Sequence, residues 1–215
     1  MDETVIKQFL FFPTLLSYVE NLNVDHDKVL SELKKLPYKN LGNPNSFIPD
    51  IKTGIFVSEN SGNIFKDLET GPELLKEISK HVEYVIKNYY KYDIGFTIAT
   101  NWVTKTLPKQ IGDFHSHANF LLTGCYYPDG TVEEKLNINF KKPQYSLFDP
   151  LRIENNEING NVLDLLVTRG NLIIFPATLE HRIGYNNTDK ERYSIAFNVF
   201  PKGKIGDGDS EFIIK

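Results

Sequence analysis

The chain has 215 residues, 40% of them hydrophobic and 13% aromatic, which is enough apolar mass for one sizeable core at a length common for a single all-β barrel. A formal net charge of -4 argues against a general nucleic-acid binder, which is normally basic. A single cysteine, Cys125, excludes an internal disulfide and fits a reducing compartment.

The run Phe9-Leu10-Phe11-Phe12 is short, broken by Pro13, and lacks the basic start of a signal peptide. No stretch reaches the length of a membrane span. The expectation is a soluble cytoplasmic protein, or one of the host cytoplasm if viral, with no membrane partner.

Residues 27 to 36 carry apolar groups at helical spacing, with Asp25 or Asp27 as the cap. Asn40 to Pro49 is rich in Asn, Gly and Pro and reads as a loop. A stronger helix follows Thr70-Gly71-Pro72, with Leu74, Leu75, Ile78, Val82, Val85 and Ile86 as its buried stripe and an end near Tyr89-Tyr90. His81 belongs on the flank of this helix.

From Ile94 the pattern changes to short strands rich in β-branched and aromatic residues: 94–103, 118–127, 136–140, 165–167, 171–175 and 193–200. Turn residues separate them, among them Pro128-Asp129-Gly130 and Arg169-Gly170. The Asn186-Asn187-Thr188 sequon reads as a surface turn. Helices followed by strands predict a mainly β fold, a double-stranded β-helix or jelly roll of the cupin-like kind, with helices outside it. One domain spanning 1–215 is expected: helical support over about 1–93, the jelly-roll core over about 94–201, and a mobile tail over 202–215.

The densest chemistry lies in Gly112-Asp113-Phe114-His115-Ser116-His117, answered by His181 after Phe175-Pro176. Histidines two apart on a strand share a face, so His115 and His117 can grip one ion while His181 closes the site from elsewhere. Non-haem iron oxygenases need protein ligands on one side of the metal and open positions opposite. The bland alternative makes these residues solvated loop histidines. On the last strand, Arg192, Ser194, Ala196 and Asn198 share one face. If that face is internal, Arg192 is a buried cation that needs a partner. The sequence offers no obvious carboxylate there, so a ligand carboxylate, held bidentately and helped by the Ser194 hydroxyl, is the natural candidate. Otherwise Arg192 faces solvent and pairs with Glu191 or Asp189.

These residues resemble the iron(II)- and 2-oxoglutarate-dependent dioxygenases, in their prolyl-hydroxylase-like branch. The likeness is strongest to a group of oxygenases common in marine bacteria and T4-type phages. It is carried by His115-Ser116-His117, Leu122 to Tyr127, Phe148-Asp149-Pro150, Gly170 to Phe175-Pro176, His181 and Arg192 to Asn198, with earlier matches at Phe11-Phe12-Pro13 and Asn101-Trp102. The resemblance implies Fe(II), 2-oxoglutarate and O2 as cofactor and cosubstrates, and hydroxylation of a peptidyl or small-molecule substrate that it does not identify. It makes His115 the first metal ligand, His181 the distal one, and Arg192, Tyr127 and Ser194 the binders of the far carboxylate of 2-oxoglutarate. Thr123 and Cys125 share the parity of Tyr127 and fall on the pocket wall, while Tyr126 and Trp102 read as packing.

One departure matters. The family's usual metal motif is His-x-Asp, and position 117 is a histidine. Three sets remain open: His115, His117 and His181 together; His117 with Asn119; or Asp113 with His115. The first is preferred, since imidazole is the better iron ligand. Two rivals to the whole reading are a cupin-like metal enzyme that does not use 2-oxoglutarate and a non-catalytic jelly-roll binding protein.

Overall fold

The structure is a computed structural model, and it describes residues 12–42, 54–60, 62–143, 148, 150–156 and 158–215. Phe11, Asp149 and most of the loop expected over 40–49 lie outside the described residues.

The protein is a mainly β jelly roll of two antiparallel sheets. The strands are β1 (Ser17–Val19), β2 (Tyr38–Asn40), β3 (Ile55–Ser58), β4 (Gly95–Thr106), β5 (Leu122–Tyr126), β6 (Asn137–Lys141), β7 (Val162–Leu166), β8 (Leu172–Pro176), β9 (His181–Ile183), β10 (Arg192–Ile205) and β11 (Phe212–Ile214). The large sheet runs β1-β8-β5-β10-β4-β3-β2, and β11 pairs with the end of β10. The small sheet runs β7-β6-β9.

Two helices pack outside the large sheet. In α1 (His26–Leu33) the Asp25 carboxylate accepts from the Lys28 N–H, satisfying one of the donors a helix start leaves free. In α2 (Gly71–Tyr84) Pro72 occupies the first turn, and a π-helical turn, Val85–Tyr90, extends the element to the expected end. Glu32 of α1 accepts from both the backbone N–H and the hydroxyl of Thr70, so the two helices are tied together where α2 begins.

Side-chain alternation sorts the large sheet into two faces. Leu122 and Tyr126 of β5, Leu172 and Ile174 of β8, and Tyr193, Ile195, Phe197 and Val199 of β10 pack against Val29, Leu33, Leu74, Ile78, Val82, Val85 and Ile86 of the helices. Leu75, expected in that stripe, is exposed instead, at the margin of the apolar face. The opposite face meets the small sheet. There Cys125, Tyr127, Ile173 and Phe175 pack against Leu136, Ile138 and Phe140. Back on the helix-facing side, Gly124 leaves room for Phe197: a Cβ there would stand 2.3 Å from the Phe197 ring and 2.7 Å from the Ile173 carbonyl.

Several expectations change. The N-terminal region is not purely helical, because β1 adds to β8 and β2–β3 add to β4. These strands have three or four residues and include Ser17, Lys39 and Asn40, too little apolar alternation to stand out. The segment expected as a mobile tail from 202 continues β10 to Ile205 and returns as β11, with Ile205 opposite Phe212. The sequon is no surface acceptor: Asn186 is fully buried and donates to the carbonyls of Thr106 and Lys190. Among the described residues no helix is long and apolar enough to cross a membrane.

Candidate metal and cosubstrate site

His115 and His117 do not stand on the strand assigned to them, since β5 begins only at Leu122. Backbone bonds hold them instead. The N–H of His115 donates to the His181 carbonyl (3.0 Å), the N–H of His181 returns to His115 (2.9 Å), and the N–H of His117 donates to Ala177 (2.7 Å). The segment is thereby stapled to the connection between β8 and β9.

The staple gathers three imidazoles. Ring centres are 5.1 Å apart for His115–His117, 4.5 Å for His115–His181 and 5.2 Å for His117–His181. One nitrogen from each lies within 4.8 Å of the others. Nδ1 of His115 is 2.9 Å from the Asp113 carbonyl, and Nδ1 of His181 is 2.9 Å from the Leu179 carbonyl. A carbonyl only accepts, so each Nδ1 carries the proton and each Nε2 keeps its lone pair.

Burial, followed by the neighbouring His115, lowers His117 to about 4 and His181 to about 3, so both are neutral near pH 7. The other two ligand sets find less support. The Asp113 carboxylate is exposed and is not part of the cluster. A turn after His117, closed by the Phe120 N–H, breaks the parity that placed Asn119 beside it, and Asn119 is exposed.

The cluster faces a cavity of about 200 Å³ between the sheets. Leu41 and Ile111, both exposed, mark its open side, while Thr123, Cys125, Tyr127 and Ser194 are buried on its wall. The Thr123 hydroxyl is occupied, donating to the Phe197 carbonyl at 2.9 Å. Cys125 lies within hydrogen-bonding reach of Tyr127 and Ser194, and burial pushes the Cys125 thiol and the Tyr127 phenol upward. Tyr127 therefore keeps its proton and remains a donor.

Arg192, only 3% exposed, stands beside this wall with its guanidinium carbon 5.1 Å from the Tyr127 ring centre. Its Nη1 donates across to the Asn137 carbonyl of the small sheet (2.9 Å), while its Nη2 is buried with no partner. The solvent-facing alternative fails. Glu191 pairs with Lys105 and accepts from the Tyr193 hydroxyl, and Asp189 pairs with Lys109.

One residue of the cavity wall, and one group acting on Arg192, were not foreseen. Trp102, expected to be packing, lines the cavity with its ring centre 5.6 Å from that of His117. Its even position on β4, opposite Ala196, was the available signal. Asp129, hidden in an ordinary turn sequence, lies in the field of Arg192. Tyr126 is packing, as expected, and its hydroxyl meets His26.

Both groups implied by the resemblance fit these residues. Three clustered imidazoles, two of them with Nδ1 on a carbonyl and Nε2 free, suit a divalent transition metal. A buried guanidinium nitrogen without a partner suits a carboxylate.

Residues 100–198, which contain all three histidines and Arg192, match a family described as "Putative 2OG-Fe(II) oxygenase". Among solved structures, the α-ketoglutarate-dependent epimerase SnoN of nogalamycin biosynthesis is 14% identical with a TM-score of 0.63, over 87% of this chain and 76% of that one. HygX from Streptomyces hygroscopicus, solved with nickel and 2-oxoglutarate, is 13% identical with a TM-score of 0.62, over 87% and 83%. A prolyl hydroxylase from Trichoplax adhaerens, solved with a hypoxia inducible factor peptide, is 15% identical with a TM-score of 0.55, over 86% and 83%. A comparison with curated proteins finds no match.

Proposed function

We propose that this chain is a 2-oxoglutarate-dependent iron(II) oxygenase, the family its residues 100–198 match, and that it holds its metal through His115, His117 and His181 and its cosubstrate through Arg192, Tyr127 and Ser194. The observation that carries the assignment is the pairing of two complementary deficits around one cavity. Imidazole lone pairs face the cavity, and behind its Tyr127 wall a buried guanidinium nitrogen has nothing to donate to.

Bound iron(II), with 2-oxoglutarate and dioxygen, supplies oxidative decarboxylation of the cosubstrate to succinate and transfer of an oxygen atom to a C–H bond. The residues of the chain bind, orient and exclude water. Backbone carbonyls fix the rings of His115 and His181, so neither rotates away from the metal position. Arg192 and the protonated Tyr127 direct donors to one carboxylate, and Ser194 adds a hydroxyl beside them. Ile138, Phe175 and Ile183 form the dry part of the wall. An all-histidine set brings no negative charge, so the metal keeps more positive charge than with a carboxylate ligand.

The reaction is proposed as hydroxylation. The similar structures include HygX solved with hygromycin B, SnoN with nogalamycin RO and the prolyl hydroxylase with a peptide fragment. Fold therefore does not select between a small-molecule and a peptidyl substrate. The buried free Cys125 supports a reducing compartment, the cytoplasm.

Among the described residues no carboxylate joins the cluster, which favours one second reading, a metal enzyme that does not use 2-oxoglutarate. Anaerobic addition of Fe(II) and then 2-oxoglutarate separates the two. A visible metal-to-ligand charge-transfer band that needs both additions is expected. Stoichiometric iron binding with no band at saturating 2-oxoglutarate would overturn the assignment.

A further inference from the structure

Asp129 is a half-buried carboxylate within the electrostatic reach of Arg192. The antiparallel register, Tyr126 opposite Ile195, brings the residues after β5 toward the start of β10. The Oδ1 of Asp129 and the Nη2 of Arg192 are both buried and both without a hydrogen-bond partner. They feel each other's charge, yet no ion pair within 4 Å joins them. Two opposite ions held apart in a buried region forgo most of the attraction that would offset their desolvation. The arrangement is sensible if a third charged group binds beside them.

We propose that Asp129 is a positioning residue for the cosubstrate: it balances the charge of Arg192 until a ligand carboxylate binds there, and it then takes up a proton. The inference rests on the assignment of Arg192 made above. Arginine and one carboxylate sum to zero. A second carboxylate leaves one uncompensated negative charge in a buried site, and protonation of Asp129 removes it. No covalent bond changes, and the proton comes from solvent.

The groups acting on Asp129 are few. Burial raises its carboxyl to about 6. Arg192 of β10, Lys34 at the end of α1 and the Tyr193 backbone N–H favour the ionised form, and Glu134 opposes it. Glu134 is itself engaged by Lys190. The ligand carboxylate draws on Arg192, the strongest of the ionising influences, so the affinity of Asp129 for a proton rises further on binding. By linkage, cosubstrate affinity is highest and flat below about pH 6. It falls above that, by roughly ten-fold per pH unit at the steepest, the slope that one coupled proton gives.

The test is calorimetric titration of 2-oxoglutarate into the metal-loaded protein, without oxygen, in buffers of different ionisation enthalpy. Metal is bound beforehand, so the ligand histidines have already lost their protons. Proton uptake is expected for the wild type at pH 7 to 8. Asp129→Asn, a neutral isostere, should bind with no uptake, with affinity independent of pH, and more tightly than the wild type at pH 8. Buffer-independent heats in the wild type, or unchanged proton uptake in Asp129→Asn, would overturn the proposal. The wild-type measurement decides by itself if the variant does not fold. Absence of any 2-oxoglutarate binding is a different result, and it sinks the assignment of Arg192 instead.

Discussion

The two ends of the cavity are built in opposite ways. At the open end, His115 and His117 come from irregular chain and His181 opens the short strand β9; a reciprocal backbone pair joins His115 to His181 and one bond ties His117 to Ala177, with imidazole lone pairs left over. At the closed end, Ser194, Cys125 and Tyr127 on the wall and Arg192 behind it are set by the central strands β10 and β5, with N–H and O–H donors left over. One end is short of a cation and the other of an anion. A metal chelated by a dicarboxylate meets both needs, and breaking either end should have a distinct signature.

The largest effect belongs to the open end. His115→Ala, His117→Ala and His181→Ala are each expected to abolish stoichiometric Fe(II) binding, while Asp113→Ala and Asn119→Ala retain it. Equilibrium dialysis with metal analysis reads the outcome. Loss of iron in Asp113→Ala together with retention in His117→Ala would restore a carboxylate to the site.

Next comes the closed end. A hydrogen bond to a charged group contributes about 1.5–3 kcal/mol. Arg192→Ala should therefore weaken 2-oxoglutarate binding by roughly ten-fold or more and leave iron in place. Because Nη1 also ties β10 to the Asn137 carbonyl of the small sheet, the variant's Tm must be recorded beside its affinity. Unchanged affinity in a folded variant would make Arg192 a structural bridge only.

The same contrast explains what the sequence made legible. Alternation along β10 placed Arg192 and Ser194 on the inner face and Tyr193, Ile195 and Phe197 under the helices, because a central strand obeys period 2 strictly. The same period puts Thr123, Cys125 and Tyr127 on the cavity wall. It singled out the three histidines that the fold gathers, but by the wrong route, since His117 is followed by a turn rather than by more strand. Parity also gave Asn119 an equal claim that the turn removes. Asp129 was invisible because Pro128-Asp129-Gly130 is ordinary turn chemistry, and only the tertiary fold brings it near Arg192. The short strands β1, β2 and β3 exist because longer neighbours template them. Their own sequences say little.

A smaller effect is expected from acid on the metal-free protein. His117 and His181 are held at about 4 and 3 in the fold, against an ordinary value of 6.5. The unfolded chain therefore binds their protons first. The stability they contribute is complete above about pH 6.5 and is lost as pH falls toward 4 and 3. Asp129 works in the opposite sense, since its folded value near 6 lies above the ordinary 3.8 and acid relieves its burial. Thermal melts from pH 7 to 4 should show a falling Tm, less steep in His181→Asn and steeper in Asp129→Asn. A flat profile in the wild type would mean that the cluster is open to water and not buried as described.

The smallest effect concerns how the third histidine is held. His115 and His181 have carbonyl partners at Nδ1, whereas His117 is oriented by ring packing against Trp102 and His181. Loss of a hydrogen-bonded partner behind a metal ligand costs about 10–100-fold in metal affinity. Loss of a packing partner should cost less, because the imidazole keeps its burial and only gains freedom to turn. Trp102→Phe is therefore expected to lower Fe(II) affinity by no more than a few-fold. Trp102 is also the one tryptophan of the chain, so its fluorescence reports directly on the site. Fe(II) should quench it in the wild type with the same midpoint that dialysis gives, and the Asp113→Ala variant should quench alike. If iron binds stoichiometrically and the emission of Trp102 does not change, the metal lies away from His117, and the three-histidine assignment fails at its least supported member.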